Sequence, residues 1–159
     1  MLNFNQSGLL VPNSIIKSNL DELYSEFVID IPTVERKIHY DAYMTYSQAL
    51  KNICYGNEIT QWINGSFITK TLKPGDIDLV TFLDFKTLAL LGDKINSFVY
   101  PQSEIEFKVD AYVITVYPQE DKRYIFYQSD RAYWFDKFDK TRRNKSGNKL
   151  AKGFLEITF

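Results

Sequence analysis

Trp62-Ile63-Asn64-Gly65-Ser66 and, ten residues on from Ser66, Asp76-Ile77-Asp78-Leu79-Val80-Thr81-Phe82-Leu83 are the runs on which the fold turns. The second holds the strongest strand signal in the chain, Ile77 to Leu83, rich in branched residues. Alternate side chains of a strand share a face, so Asp76 and Asp78 point the same way. Two carboxylates so close repel each other unless a cation lies between them, which suits Mg²⁺ or Mn²⁺. The first run predicts a short strand, Glu58 to Asn64, with Gly65-Ser66 opening a short helix. Glycine lets a backbone approach a phosphate, serine adds a hydroxyl, and N–H groups at a helix start favour anions. Lys73-Pro74-Gly75-Asp76 has the residue order of a type II turn.

Working outward, Asp84 is placed to cap a helix carrying Leu88, Leu91 and Ile95. A second strand is predicted from about Glu106 to Tyr117, with Asp110 inside it. A lone buried carboxylate is costly, so Asp110 needs a partner. It either completes a three-carboxylate cluster or pairs with a Lys or Arg of the fold. Residues 120–139 predict an aromatic-rich helix, and Phe154 to Phe159 a closing strand. Tyr124, Phe126, Tyr127, Tyr133, Trp134, Phe135 and Phe138 are too many for one helix face, so a core stripe plus an exposed remainder is expected.

Upstream, Ser18 is the expected N-cap of a helix with Leu20, Leu23, Tyr24 and Phe27 at helical spacing. Asp30-Ile31-Pro32 ends it. Thr33 then caps a longer helix whose apolar positions are Ile38, Ala42, Tyr46, Ala49, Leu50 and Ile53. Residues 1–17 look irregular. Helices and strands interleave, which predicts an α+β domain over 1–159 with a mixed β-sheet flanked by helices. Its parts are N-terminal helices within 18–55, a core over about 59–116, and a C-terminal helix and strand within 120–159.

Composition narrows the function classes. The chain has 159 residues, 45% apolar, with 19 Lys plus Arg against 20 Asp plus Glu. Such balance excludes a disordered chain and any whole-protein charge argument for nucleic-acid binding. Cys54 and His39 are the only cysteine and histidine, so an intramolecular disulfide, cysteine zinc sites and histidine-rich sites are excluded. A metal would have to be a hard cation on oxygen ligands. Cys54 is expected to be a small buried hydrophobe and His39 a surface or half-buried residue. The N-terminus has no signal-peptide pattern, and no segment has the ~20 apolar residues of a membrane span. A cytoplasmic protein with no membrane partner is the expectation.

Gly-Ser, about ten residues, Asp-x-Asp on a strand and a later strand Asp resemble the nucleotidyltransferase superfamily of DNA polymerase beta-like fold. Within it the chain is similar to small bacterial proteins of the minimal nucleotidyltransferase kind. The resemblance covers roughly residues 59–116. It implies that Gly65 and Ser66 bind nucleotide phosphates. It implies that Asp76, Asp78 and Asp110 form the catalytic, metal-binding triad. The implied reaction moves a nucleoside monophosphate from an NTP donor to a hydroxyl of an unnamed acceptor, with Mg²⁺ or Mn²⁺. Many minimal members have a small residue and Arg-Gly after Gly-Ser. Here Phe67-Ile68-Thr69-Lys70 follows, which makes Lys70 the candidate for the triphosphate.

Other readings stand beside these. Asp76 could close the turn and Asp78 sit at a wet strand end. Lys137, Lys140, Arg142, Arg143, Lys145, Lys149 and Lys152 form a basic run, which is either a solvated loop or a patch for a nucleic-acid acceptor or the triphosphate. Many small superfamily members form one half of a toxin–antitoxin or phage-defence pair. The alternative function is therefore a module that binds the product of a neighbouring gene with little or no catalysis.

Overall fold

Asn3–Phe4 (β1), Leu10–Val11 (β2) and Ile15–Lys17 (β3) are the first elements of the computed structural model, which describes residues 1–159. Then come Leu20–Tyr24 (α1), Val34–Ile53 (α2), Thr60–Asn64 (β4), Asp78–Asp84 (β5), Phe85–Leu91 (α3) and Gln102–Phe107 (α4). Asp110–Val116 (β6), Tyr124–Phe138 (α5) and Phe154–Thr158 (β7) complete the chain. Five strands make one mixed sheet in the order β3-β7-β4-β5-β6, and β1 pairs with β2 apart from it. β3 runs parallel to β7 and β5 parallel to β6, while β4 is antiparallel to both its neighbours. The fold is α+β with a mixed sheet flanked by helices.

The sheet is covered on both faces, and strand alternation sorts the side chains between them. On one face, Gln61 of β4 accepts hydrogen bonds from Tyr43 and Ser47 of α2. On the other, fully buried Trp62 packs edge-on against Phe135 of α5 and Phe154 of β7. Tyr112 of β6 meets Trp134 of α5 with ring centroids 4.4 Å apart. Helix α5 therefore keeps Trp134, Phe135 and Phe138 inward and leaves Ile125, Phe126 and Tyr133 exposed, a core stripe with a remainder.

Several boundaries differ from expectation. Residues 1–17 are not irregular: they hold three short strands, and β3 edges the main sheet. Asn19, not Ser18, caps α1, its Oδ1 accepting from the Glu22 N–H at 2.8 Å. Ser18 instead donates its hydroxyl to Glu22. Thr33 caps α2 as expected, but the buried stripe is Arg36, Tyr43, Tyr46, Ser47 and Leu50, while Ile38 is exposed. The strand predicted from Glu106 begins only at Asp110. Gln102 to Phe107 is rich in helix formers and winds into α4, ended by Lys108 at φ +62°. Cys54 is buried, and His39 is half-buried with Nε2 3.1 Å from the Pro74 carbonyl. No helix is long and apolar enough to cross a membrane.

Candidate functional site

β4 ends at Asn64, and the chain turns hard at Gly65 before it runs back along β5. Gly65 sits at φ +87°, ψ −175°, a conformation essentially reserved for glycine. A Cβ at that position would lie 2.9 Å from the Asp76 carbonyl and 3.1 Å from the Asp78 nitrogen. Gly65 thus lets two backbones touch. Gly65→Ala should lower stability by ~3 kcal/mol, from strain plus overpacking. Urea denaturation measures this, and a wild-type midpoint would contradict the packing argument.

A single turn, Ser66 to Ile68, follows. Ser66 donates both its N–H and its hydroxyl to Asp76 Oδ1, each at 2.7 Å. Its oxygen also accepts the N–H groups of Gly75 at 2.8 Å and Asp76 at 3.3 Å. These bonds clasp the loop from residue 66 to 76 shut. Gly75 lacks the positive φ that a type II turn demands, so the predicted turn is replaced by this clasp.

The carboxylates come together at the same end of the sheet. Register aligns Asn64, Asp78 and Asp110 across β4, β5 and β6, all on the face that α5 covers. Asp76 stands just before β5, and its Oδ2 lies 3.1 Å from Arg142 Nη2. Burial pushes Asp76 upward. Ser66 and the charges of Arg142 and Lys152 outweigh that and hold it below the usual carboxylate range. Asp78 feels the same two cations but lacks the Ser66 hydrogen bonds. Burial, reinforced by Asp76 and Asp110, raises it to about 6. Asn64 Oδ1 and Asp110 Oδ1 are buried acceptors with no donor.

Facing them is a cationic wall from the last part of the chain. Lys152 is only 4% exposed, and its Nζ donates to the Gly65 carbonyl at 3.3 Å. Burial pushes this ammonium down to about 8 against the pull of Asp78 and Asp76. Arg142, Lys149 and Lys137 line the same cavity of about 600 Å³, with Tyr112 and Trp134 at one side. The loop under the site is pinned from below. Arg36, fully buried on α2, donates to the carbonyls of Phe27, Phe67, Thr69 and Thr71.

Gly65, Ser66, Asp76, Asp78 and Asp110 therefore line one cleft. Lys70 does not. Its N–H binds the Gly8 carbonyl, and its ammonium lies 3.3 Å from Glu26 Oε2 and 4.2 Å from the Phe4 ring centre. Arg36 and Asn64 are the residues the sequence left without a role, and Lys152 stood undistinguished among the seven residues of the basic run. Arg36 had a signal, its spacing of seven from Tyr43 and again of seven to Leu50 on the buried stripe. Lys152 had a weaker one, standing two residues before an apolar strand.

The donor set can be tested against a cation. No three His, Cys, Asp or Glu side chains form a ready cage. Mg²⁺ seldom needs one, since it keeps several waters and is held by one or two carboxylates plus substrate phosphates. Asp78, raised by burial and then by its neighbours' charge, and Asp110, with an orphaned buried oxygen, fit that demand. Asp76 is committed to Ser66 and Arg142 and would have to release the latter.

Neither the curated proteins nor the solved structures contain a match to the chain. One family model does match, over residues 2–158: the chain belongs to a family of unknown function, DUF6932.

Proposed function

We propose that the protein is a metal-dependent nucleotidyltransferase that moves a nucleoside monophosphate from an NTP to an acceptor hydroxyl. One observation carries the reading. A row of oxygen acceptors, Asn64, Asp78 and Asp110, faces Lys152 and Arg142 across a cleft large enough for a nucleotide. Carboxylates alone would repel a polyphosphate, and cations alone would hold one without activating anything. The two together serve a transfer between a phosphorus centre and a hydroxyl.

In this reading Asp78 and Asp110, joined by Asp76, hold Mg²⁺ or Mn²⁺. That ion supplies charge neutralisation at the phosphates and orientation of the reacting oxygens. The acceptor oxygen bonds to the α-phosphorus as the bond to the β-bridging oxygen breaks and pyrophosphate leaves. Asp110 Oδ1, a buried acceptor without a donor, takes or orients the hydroxyl proton. Lys152 and Arg142 offset the charge that develops on the departing phosphates.

The test is calorimetric titration of ATP, GTP, CTP and UTP into the protein with Mg²⁺ or Mn²⁺. We expect saturable, metal-dependent binding of at least one nucleotide, lost in the Asp76→Asn/Asp78→Asn double variant. Absence of binding for all four would overturn the reading. A second reading, a partner-binding module, rests on a different observation: Ile125, Phe126 and Tyr133 of α5 are 61%, 61% and 54% exposed. Apolar side chains presented together suit a protein surface. A stable complex with the product of an adjacent gene, formed without nucleotide, would favour it.

A further inference from the structure

Residues 139 to 152 fold into a hairpin whose arms are tied in register. Lys140 bridges to Ala151, the Thr141 N–H donates to the Leu150 carbonyl at 2.8 Å, and the Lys152 N–H donates to the Asp139 carbonyl at 2.8 Å. Carrying that register one step outward puts Arg142 and Lys149 opposite each other, and both line the cleft. Like charges facing across two strands destabilise the pairing unless an anion lies between them. Arg142 has only a single ion pair, with Asp76, at 81% side-chain exposure, and Lys149 has no carboxylate partner. Lys140, by contrast, is already neutralised by Asp136 and Asp139.

Lys152 closes the base of the same hairpin. An ammonium carries three donors. Lys152 uses one, on the Gly65 carbonyl, although it is almost wholly buried, and no carboxylate lies within ion-pairing distance. Ser66, the usual place to look for a phosphate contact, has its N–H and hydroxyl both bonded to Asp76. Free donors in this cleft therefore come from the hairpin, and from Lys137 of α5, which lies against the Tyr133 and Trp134 rings, but not from the Gly-Ser turn.

We propose that the 139–152 hairpin is the polyphosphate-binding element of the cleft, with Lys152, Arg142 and Lys149 as its anion contacts. The ligand class is a di- or triphosphate chain, free or as the tail of a nucleotide. That it is the tail of a substrate rests on the nucleotidyltransferase reading. The Arg142–Asp76 ion pair is the resting state of the element, and an arriving phosphate takes Arg142 from Asp76.

The test uses inorganic tripolyphosphate in EDTA, where no metal-dependent step contributes. Titration into the wild-type protein should show saturable binding. Lys152→Met should weaken it at least tenfold, and Arg142→Ala and Lys149→Ala each several-fold. The last two side chains are exposed, so their loss leaves the fold intact if Lys152→Met does not. Asp76→Asn should tighten binding, because it frees Arg142 and removes a repelling charge. The same substitution is expected to abolish metal-dependent NTP binding, so the two readings predict opposite signs for one variant. Tripolyphosphate binding that ignores all three cation variants overturns the proposal. So does absence of such binding while NTP and metal still bind, an outcome that leaves the nucleotidyltransferase reading standing. Binding of an oligoribonucleotide through Arg142 and Lys149 without competition from tripolyphosphate also overturns it, in favour of a nucleic-acid contact.

Discussion

Asp78→Asn is expected to make the metal-free protein more stable while removing its metal-dependent nucleotide binding. Asp78 is raised from 3.8 to about 6 by burial, then by the charges of Asp76 and Asp110. A carboxyl group raised on folding binds its proton more tightly in the native state. Its penalty is absent below about pH 4, grows as pH rises, and is complete above about pH 6. At ~1.4 kcal/mol per pH unit of displacement, the raised carboxyl removes roughly 3 kcal/mol at neutral pH. Asparagine keeps the shape without the charge. It also loses the attraction to Lys152, which offsets part of the gain. A net increase of ~1–3 kcal/mol is expected at pH 7 in EDTA, vanishing near pH 4. Binding of NTP with Mg²⁺ should fall at least a hundredfold, the scale set by removing one preorganised electrostatic contact. Urea titrations across pH 4–8 and calorimetry check the two halves separately. Equal stability of variant and wild type at pH 7 would remove the case that these carboxylates crowd one another for a functional reason.

Arg36→Met should be the most damaging single change away from the cleft, at ~3–5 kcal/mol. The guanidinium is fully buried and holds four backbone carbonyls from two separate segments. Burial pushes it down only to about 10, so it stays charged at neutral pH. It also lies 5.8 Å and 5.6 Å from the ring centres of Phe27 and Phe67. Methionine fills much of the volume but leaves those carbonyls without donors, and lysine cannot span the same fork. Arg36→Lys should therefore fall between methionine and wild type. The urea midpoint should drop with an unchanged slope. Since Arg36 anchors the loop after Ser66, nucleotide affinity should fall with it. A fully stable Arg36→Met protein would mean that the loop is held by other contacts.

Much of the fold was legible because it is written in local chemistry. Thr33 and Asp84 cap their helices through side-chain oxygens, as their residue types suggest. β5 and the Asp110 strand follow from branched and aromatic runs. The α2 stripe was harder, because its phase is set by Arg36 and Ser47, two polar residues whose burial depends on partners far along the chain. α4 was hidden for a related reason. Glu104-Ile105-Glu106-Phe107 alternates like a strand, and only the positive φ at Lys108 separates it from β6. In the cleft, Asp76 and Asp78 could be paired from strand parity, whereas Asp110 joins them only because β5 and β6 are neighbours, with Asp78 opposite Asp110. Lys70 could not be excluded, nor Lys152 chosen. Both are lysines in polar loops, and only the crossing of residues 66–76 by the C-terminal hairpin puts one inside and leaves the other outside.

β7 has a consequence for how the protein is made. It lies between β3 and β4, yet roughly 90 residues separate it from β4 along the chain. At ribosomal speeds this is an interval of about 5–20 s during which the open flank of β4 has no partner. That flank belongs to Trp62 and Ile63, both fully buried once the sheet closes. A nascent chain halted in this interval exposes an apolar strand edge to other nascent chains and to chaperones. Folding is thus gated by the arrival of residues 154–158, and a slow stretch of translation anywhere between the two strands lengthens the exposure.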